Sequence, residues 1–215
     1  GLLMVCLCAL RAVPAAVALI YGESARPFLI TIAVSAAVGG VFMLFKPEND
    51  VIYAKEGFVI VALGWILMSL FGALPFVISR EIPSYIDAVF ETASGLTTTG
   101  ASIMQNVETL SRGCMFWRLF THWIGGMGVL VFIMAVMPMS GNYSMHIMRA
   151  EVPGPTVGKL VPRVRQTAKI LYIIYIALTF IEMIFLLFGG MDLYDAMLHA
   201  MATAGTGGFS TKASC

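Results

Sequence analysis

The run Asp87-Ala88-Val89-Phe90-Glu91-Thr92-Ala93-Ser94-Gly95-Leu96-Thr97-Thr98-Thr99-Gly100-Ala101 decides how this chain folds. It lies between two apolar runs, Gly57–Ile78 and Met115–Met137, in a segment too long for a tight turn and too apolar for a solvated loop. Non-helical backbone is tolerated at membrane depth only where it is buried in protein or lines a water-filled path. The sequence therefore predicts a short re-entrant helix over about Asp87–Leu96, with Asp87 near its N-cap. A loop over Thr97–Ser102 would follow it and line a path.

Composition places that run in a membrane protein. Of the 215 residues 59% are apolar and 12% charged, against about 45–50% and about 25% in soluble domains. A helix crossing ~30 Å of hydrocarbon needs about 20 mainly apolar residues. Gly57–Ile78, Met115–Met137 and Ile170–Phe188 meet that need, and Leu2–Tyr21 with Phe28–Phe45 form an amino-terminal helical pair. The net charge of +1 and the scattered basic residues leave no stripe for nucleic acid. Cys6, Cys8, Cys114 and Cys215 show no metal-ligand or redox spacing and read as small apolar packing residues. The chain opens on Gly1 and stops at Cys215 shortly after a Gly-rich motif, which suggests truncation at both ends.

Orientation follows from the loop Ser140–Thr167, where Arg149, Lys159, Arg163 and Arg165 face the lone acid Glu151. Positive loops stay inside. The loop is assigned to the cytoplasm, Ser79–Cys114 and Gly189–Cys215 to the outside, and the amino terminus to the cytoplasm.

Those two outside segments superpose when shifted by 108 residues: Asp87-Ala88 falls on Asp195-Ala196, Thr98 on Thr206, Gly100 on Gly208 and Ser102 on Ser210. The repeated unit is span, re-entrant helix, Gly/Thr loop, span. The second copy, with its helix over about Asp195–Ala204 and its loop over Gly205–Ser210, stops before its last span. This divides the chain into 1–56, the helical pair; 57–138, the first repeat; 139–168, a cytoplasmic loop; and 169–215, a second repeat ending after its loop. Glycine allows positive φ that turns carbonyls to one side, and threonine adds a hydroxyl that can help replace water around a cation. The ion-binding candidates are Thr97, Thr98, Thr99, Gly100 and Ala101 in the first loop, and Gly205, Thr206, Gly207, Gly208 and Phe209 in the second. Helix C-termini aimed at the loops would favour a cation.

The run Asp87–Ala101 resembles the first pore helix and filter of Trk-type potassium-uptake proteins, related to Ktr and HKT transporters. His122-Trp123-Ile124-Gly125-Gly126-Met127-Gly128 resembles the span after that filter, and Ala150-Glu151-Val152-Pro153-Gly154-Pro155 with Lys159-Leu160-Val161-Pro162-Arg163 the next cytoplasmic loop. Thr206-Gly207-Gly208-Phe209-Ser210-Thr211 resembles the second filter. The resemblance implies an all-α integral membrane protein of four linked span–pore–span units as in potassium channels, of which this chain holds the N-terminal two. It implies K⁺ uptake across the plasma membrane, no cofactor in this chain, a homodimer, and a cytoplasmic nucleotide-binding regulatory subunit.

Individual residues also have structural readings. Gly125, Gly126 and Gly128 read as helix-packing positions, and Glu91 and His199 as anchors of the pore helices to nearby backbone. Glu182, an acid within a span, reads equally as functional or as bonded to a neighbouring helix. Arg118 and His122 are expected to snorkel or to cap the pore-helix region, and Trp65, Trp117 and Trp123 to be ordinary helix or interface aromatics. A secondary cation symporter, K⁺- or Na⁺-coupled, is the alternative function, disfavoured because the Thr/Gly loops are parallel copies with no acid paired across them. An enzyme would need a constellation such as HExxH or GxSxG, and neither occurs in the sequence.

Overall fold

The computed structural model describes residues 2–44, 54–128 and 164–212. Among these the chain is helical without strands: α1 (Leu2–Ile20), α2 (Arg26–Leu44), α3 (Ala54–Gly72), α4 (Leu74–Ile78), α5 (Tyr85–Leu96), α6 (Arg112–Gly126), α7 (Val164–Phe188) and α8 (Leu193–Ala204), with a 3₁₀ turn at Val107–Thr109. Long and apolar enough to cross a membrane are Leu3–Ile20, Arg26–Leu44 and Lys169–Phe188, with a shorter apolar stretch over Ala62–Ile78. The last part of the expected span Met115–Met137, residues 129–137, most of the loop Ser140–Thr167, and Cys215 lie outside the described residues.

The amino-terminal pair closes through small residues. On α2 the buried positions Phe28, Thr31, Ser35 and Gly39 recur every three or four residues and form one stripe, and small side chains in such a stripe let helix backbones approach.

The span expected over Gly57–Ile78 is two helices, with a break at Ala73. Pro75 is the cause, because a proline has no N–H for the carbonyl four residues earlier. That carbonyl belongs to Phe71, and the guanidinium of Arg11, reaching across from α1, donates to it. Arg11 is fully buried and also donates to the Thr31 carbonyl at 3.1 Å and to Ser35 Oγ at 2.6 Å. The neighbouring Gly72 carbonyl loses its helical partner too, since the Phe76 N–H turns to Ala73. It accepts instead from Trp117 Nε1 of α6 at 2.9 Å. Trp117 is completely buried, so of its two readings it is a helix aromatic and not one at the membrane interface.

Helix α6 is the centre of the described fold, packed against α1, α5 and α8 and buried at every residue from Gly113 to His122. Its N-terminus is held by three side chains. Ser111 is the cap. Glu81 accepts from the Ser111 N–H at 3.1 Å and hydroxyl at 2.6 Å. Glu23, from the turn between α1 and α2, accepts from the N–H groups of Arg112 at 2.8 Å and Gly113 at 2.9 Å. Carboxylates at a helix N-terminus satisfy orphan donors and oppose the positive end of the dipole. Among the described cysteines, Cys6, Cys8 and Cys114 are free thiols.

Candidate ion-coordinating loops

Helices α5 and α8 match at both ends under the 108-residue shift, Tyr85 with Leu193 and Leu96 with Ala204. Their N-caps are Ser84, which accepts from the Asp87 N–H, and Asp192, which accepts from the Tyr194 N–H. Asp87 and Asp195 thus lie near the N-caps, three residues after them in the first turn, where an acid suits the dipole.

The helices also end alike. The N–H groups of Thr97, Thr98 and Thr99 donate to the carbonyls of Ala93, Gly95 and Ser94. Those of Gly205, Thr206 and Gly207 donate to Met201, Thr203 and Ala202. This is a Schellman closure, in which the left-handed residue after the cap is usually glycine. Here it is threonine both times, Thr98 at φ +54° and Thr206 at φ +57°, and a β-branched residue at positive φ is a genuine outlier. Two residues on, Gly100 (φ +76°) and Gly208 (φ +80°) are left-handed as well. The two loops repeat one backbone conformation.

Thr97 directs its hydroxyl to the Ala93 carbonyl at 2.7 Å and lies 2.8 Å from the Thr99 hydroxyl. Thr97, Thr99, Ala101, Thr206 and Gly208 are exposed, Thr98, Gly100 and Gly207 half-buried, and Gly205 and Phe209 buried. The loops meet directly: a Cβ built on Gly100 would lie 1.9 Å from the Gly207 carbonyl oxygen. Behind them, paired glycines of α6 admit both helix ends. A Cβ on Gly125 would fall 2.0 Å from the Leu96 carbonyl oxygen, and one on Gly126 2.7 Å from Gly205 Cα.

Of the two readings of Arg118 and His122, snorkelling fails, since they are buried to 3% and 0% exposure, and contact with the end of α5 holds, since both bond to residues of that helix. Arg118 Nε pairs with Glu91 Oε1 at 2.6 Å, and its Nη1 donates to the Ser210 carbonyl at 3.1 Å. Glu91 accepts further from the Ser102 hydroxyl and, at 2.9 Å, from the Ile103 N–H, so it anchors the first loop to its own helix. His199, at the equivalent position of α8, lies 3.2 Å from Thr211 Oγ1. The His122 ring joins the Gly95 carbonyl (Nδ1, 2.8 Å) to the Phe209 N–H (Nε2, 3.3 Å). A charged residue within a span signals a site, and Arg118, His122 and Gly125 share a helix face by spacing. Glu91, 27 residues away on another helix, left no local trace of the pairing. Glu182 is half-buried on α7.

The sequence profile of the TrkH family, described as a cation transport protein, matches residues 24–215. The Trk system potassium uptake protein TrkH of Escherichia coli K12 is 42% identical over 98% of this chain and 44% of its own length. The corresponding figures for the TrkG protein of the same organism are 37%, 92% and 42%. The crystal structure of the potassium transporter TrkH from Vibrio parahaemolyticus superposes with a TM-score of 0.79 at 34% identity, over 98% of this chain and 42% of that one. The chain spans less than half the length of these relatives. With its all-helical fold, its repeated loops and a profile match over most of its length, the chain belongs to the TrkH family of cation transport proteins.

Proposed function

We propose that the chain forms part of a potassium-uptake pathway across the plasma membrane, in which Thr97–Ala101 and Gly205–Phe209 supply the oxygens of a selectivity filter. The observation that carries this reading is the pairing of two loops of one conformation, each with a threonine held at positive φ. Strained backbone of this kind persists where the surroundings over-determine it, and it clusters at ligand sites. Carbonyls and hydroxyls without a formal charge suit a cation that must enter and leave quickly. Relatives named as potassium uptake proteins support K⁺ as the ion.

In this reading 1–56 is a helical pair that braces the first repeat, 57–138 and 169–215 are pore-loop repeats, and 139–168 is cytoplasmic, as is the amino terminus. A homodimer and a cytoplasmic nucleotide-binding regulatory subunit complete the assembly. No observation favours the cation symporter.

The test is expression of the full-length gene product in a bacterium lacking its own potassium uptake, with Rb⁺ and Na⁺ influx measured. Growth on low potassium and a preference for Rb⁺ over Na⁺, lowered by Gly100→Ser at unchanged membrane level, are expected. Transport whose ion preference ignores Gly100→Ser would show that the loops are not the filter.

A further inference from the structure

We propose that Arg118 and His122 are specificity-determining positioning residues: from one face of α6 they fix the loop Gly205–Ser210 in register with Thr97–Ser102 and so set the spacing of the coordinating oxygens without touching the ion. The inference rests on the reading of these loops as the filter.

The hydrogen bonds of His122 define its state. The Gly95 carbonyl can only accept, so Nδ1, 2.8 Å away, carries the proton. The Phe209 N–H can only donate, so Nε2, at 3.3 Å, is bare. The imidazole is therefore a neutral bridge with its donor on the C-terminal turn of α5 and its acceptor in the second loop. It also stacks on the Phe209 ring, centroid to centroid at 4.0 Å.

Arg118, one turn earlier, makes the parallel connection. Its Nε is committed to Glu91, the residue that anchors the exit of the first loop, and its Nη1 to the Ser210 carbonyl of the second. Its guanidinium carbon lies 3.6 Å from the centre of the Phe209 ring. Gly207 is glycine for a matching reason: a Cβ there would stand 2.3 Å from the His122 ring. Two side chains of α6 thus tie α5, which carries the first loop, to the second loop at four polar contacts, in a place where an unmade hydrogen bond is costly. Discrimination between cations depends on the number and spacing of oxygens the filter can present. A second loop released from the first would close around the smaller Na⁺ as readily as around K⁺.

The test uses the full-length gene product in potassium-uptake-deficient cells and reads the Rb⁺/Na⁺ influx ratio at matched membrane levels. His122→Phe keeps a stacking ring and removes both hydrogen bonds. His122→Gln retains a donor and an acceptor. Arg118→Lys keeps the charge, but its single head cannot serve Glu91 and Ser210 in the fork geometry of arginine. His122→Phe and Arg118→Lys are expected to lower the ratio about tenfold, the equivalent of one buried hydrogen bond, and His122→Gln to stay within about threefold of wild type. Gly100→Ser serves as the control on the filter reading. If it lowers the ratio while His122→Phe and Arg118→Lys do not, the filter stands and the positioning role is overturned. If Gly100→Ser has no effect, the filter reading fails first. Should His122→Phe fail to accumulate, the purified Arg118→Lys protein decides the matter through its thermal stabilisation by KCl relative to NaCl. A preference equal to wild type overturns the proposal, and a lost preference supports it.

Discussion

Gly100 passes the Gly207 carbonyl so closely that a Cβ on it would lie 1.9 Å from the oxygen, whereas a Cβ on Gly208 would meet nothing within 4 Å. Both glycines are left-handed, and among the described residues only the first is also sterically confined. Gly208→Ala is expected to cost about 1–2 kcal/mol from its φ alone, and Gly208→Asn less, since asparagine tolerates that region. Gly100→Ala adds a backbone collision and should be the more damaging in both thermal unfolding and Rb⁺/Na⁺ selectivity. Equal effects at the two sites would contradict the geometry.

Thr98 and Thr206 occupy the position where a Schellman closure favours glycine, at φ +54° and +57°. Thr98→Gly and Thr206→Gly should therefore leave stability unchanged or raise it by up to about 1 kcal/mol. They should still lower selectivity by removing a hydroxyl from the loop. Detergent-solubilised protein reports the first quantity and cation influx the second. A stability loss above the wild-type error, with selectivity intact, would count against strain held for function.

Arg11 and Pro75 are coupled through the Phe71 carbonyl. Arg11→Met should destabilise by about 1–3 kcal/mol, because that carbonyl is left buried and unpaired. In a Pro75→Ala background the restored N–H can take the carbonyl, so Arg11→Met should cost measurably less there. A double-mutant cycle on thermal unfolding measures the coupling, and strict additivity would show that Arg11 acts elsewhere.

The caps offer a smaller effect with a sharp internal control. Ser84→Ala and Asp192→Ala should each cost about 0.5–2 kcal/mol. Asp87→Asn, within the first turn of α5, should cost only the dipole contribution of about 0.3–1 kcal/mol. Chemical denaturation of the purified variants ranks them, and Asp87→Asn exceeding Ser84→Ala would count against Ser84 as the cap.

Topology is checked by labelling. In a background without native cysteines, Asn106→Cys, at an exposed position beside the first loop, should react with an impermeant thiol reagent added outside intact cells. Gly158→Cys, in the basic loop, should react only after permeabilisation. The opposite pattern would invert both loops.

Membrane character, the amino-terminal helices and the likeness of the segments that hold α5 and α8 can all be read from consecutive residues. Apolar run length and the 108-residue coincidence of Asp, Thr and Gly positions are local features, written in consecutive residues. The ends of α5 and α8 were legible to within a few residues, with an acid near each start; that Ser84 itself caps α5 is set by its backbone dihedrals. What tertiary structure alone decided was the partnership of groups far apart along the chain. Pro75 could be read as a helix breaker, but not that Arg11 and Trp117 would take the carbonyls at the break. Arg118 and His122 stood out as polar residues in an apolar helix, read as snorkelling or as capping the end of the helix before the first loop. They are buried, because Glu91, Gly95, Phe209 and Ser210 converge on them from α5 and the second loop. A buried polar group is stable only when its partners are in place, and those partners are fixed by how helices pack.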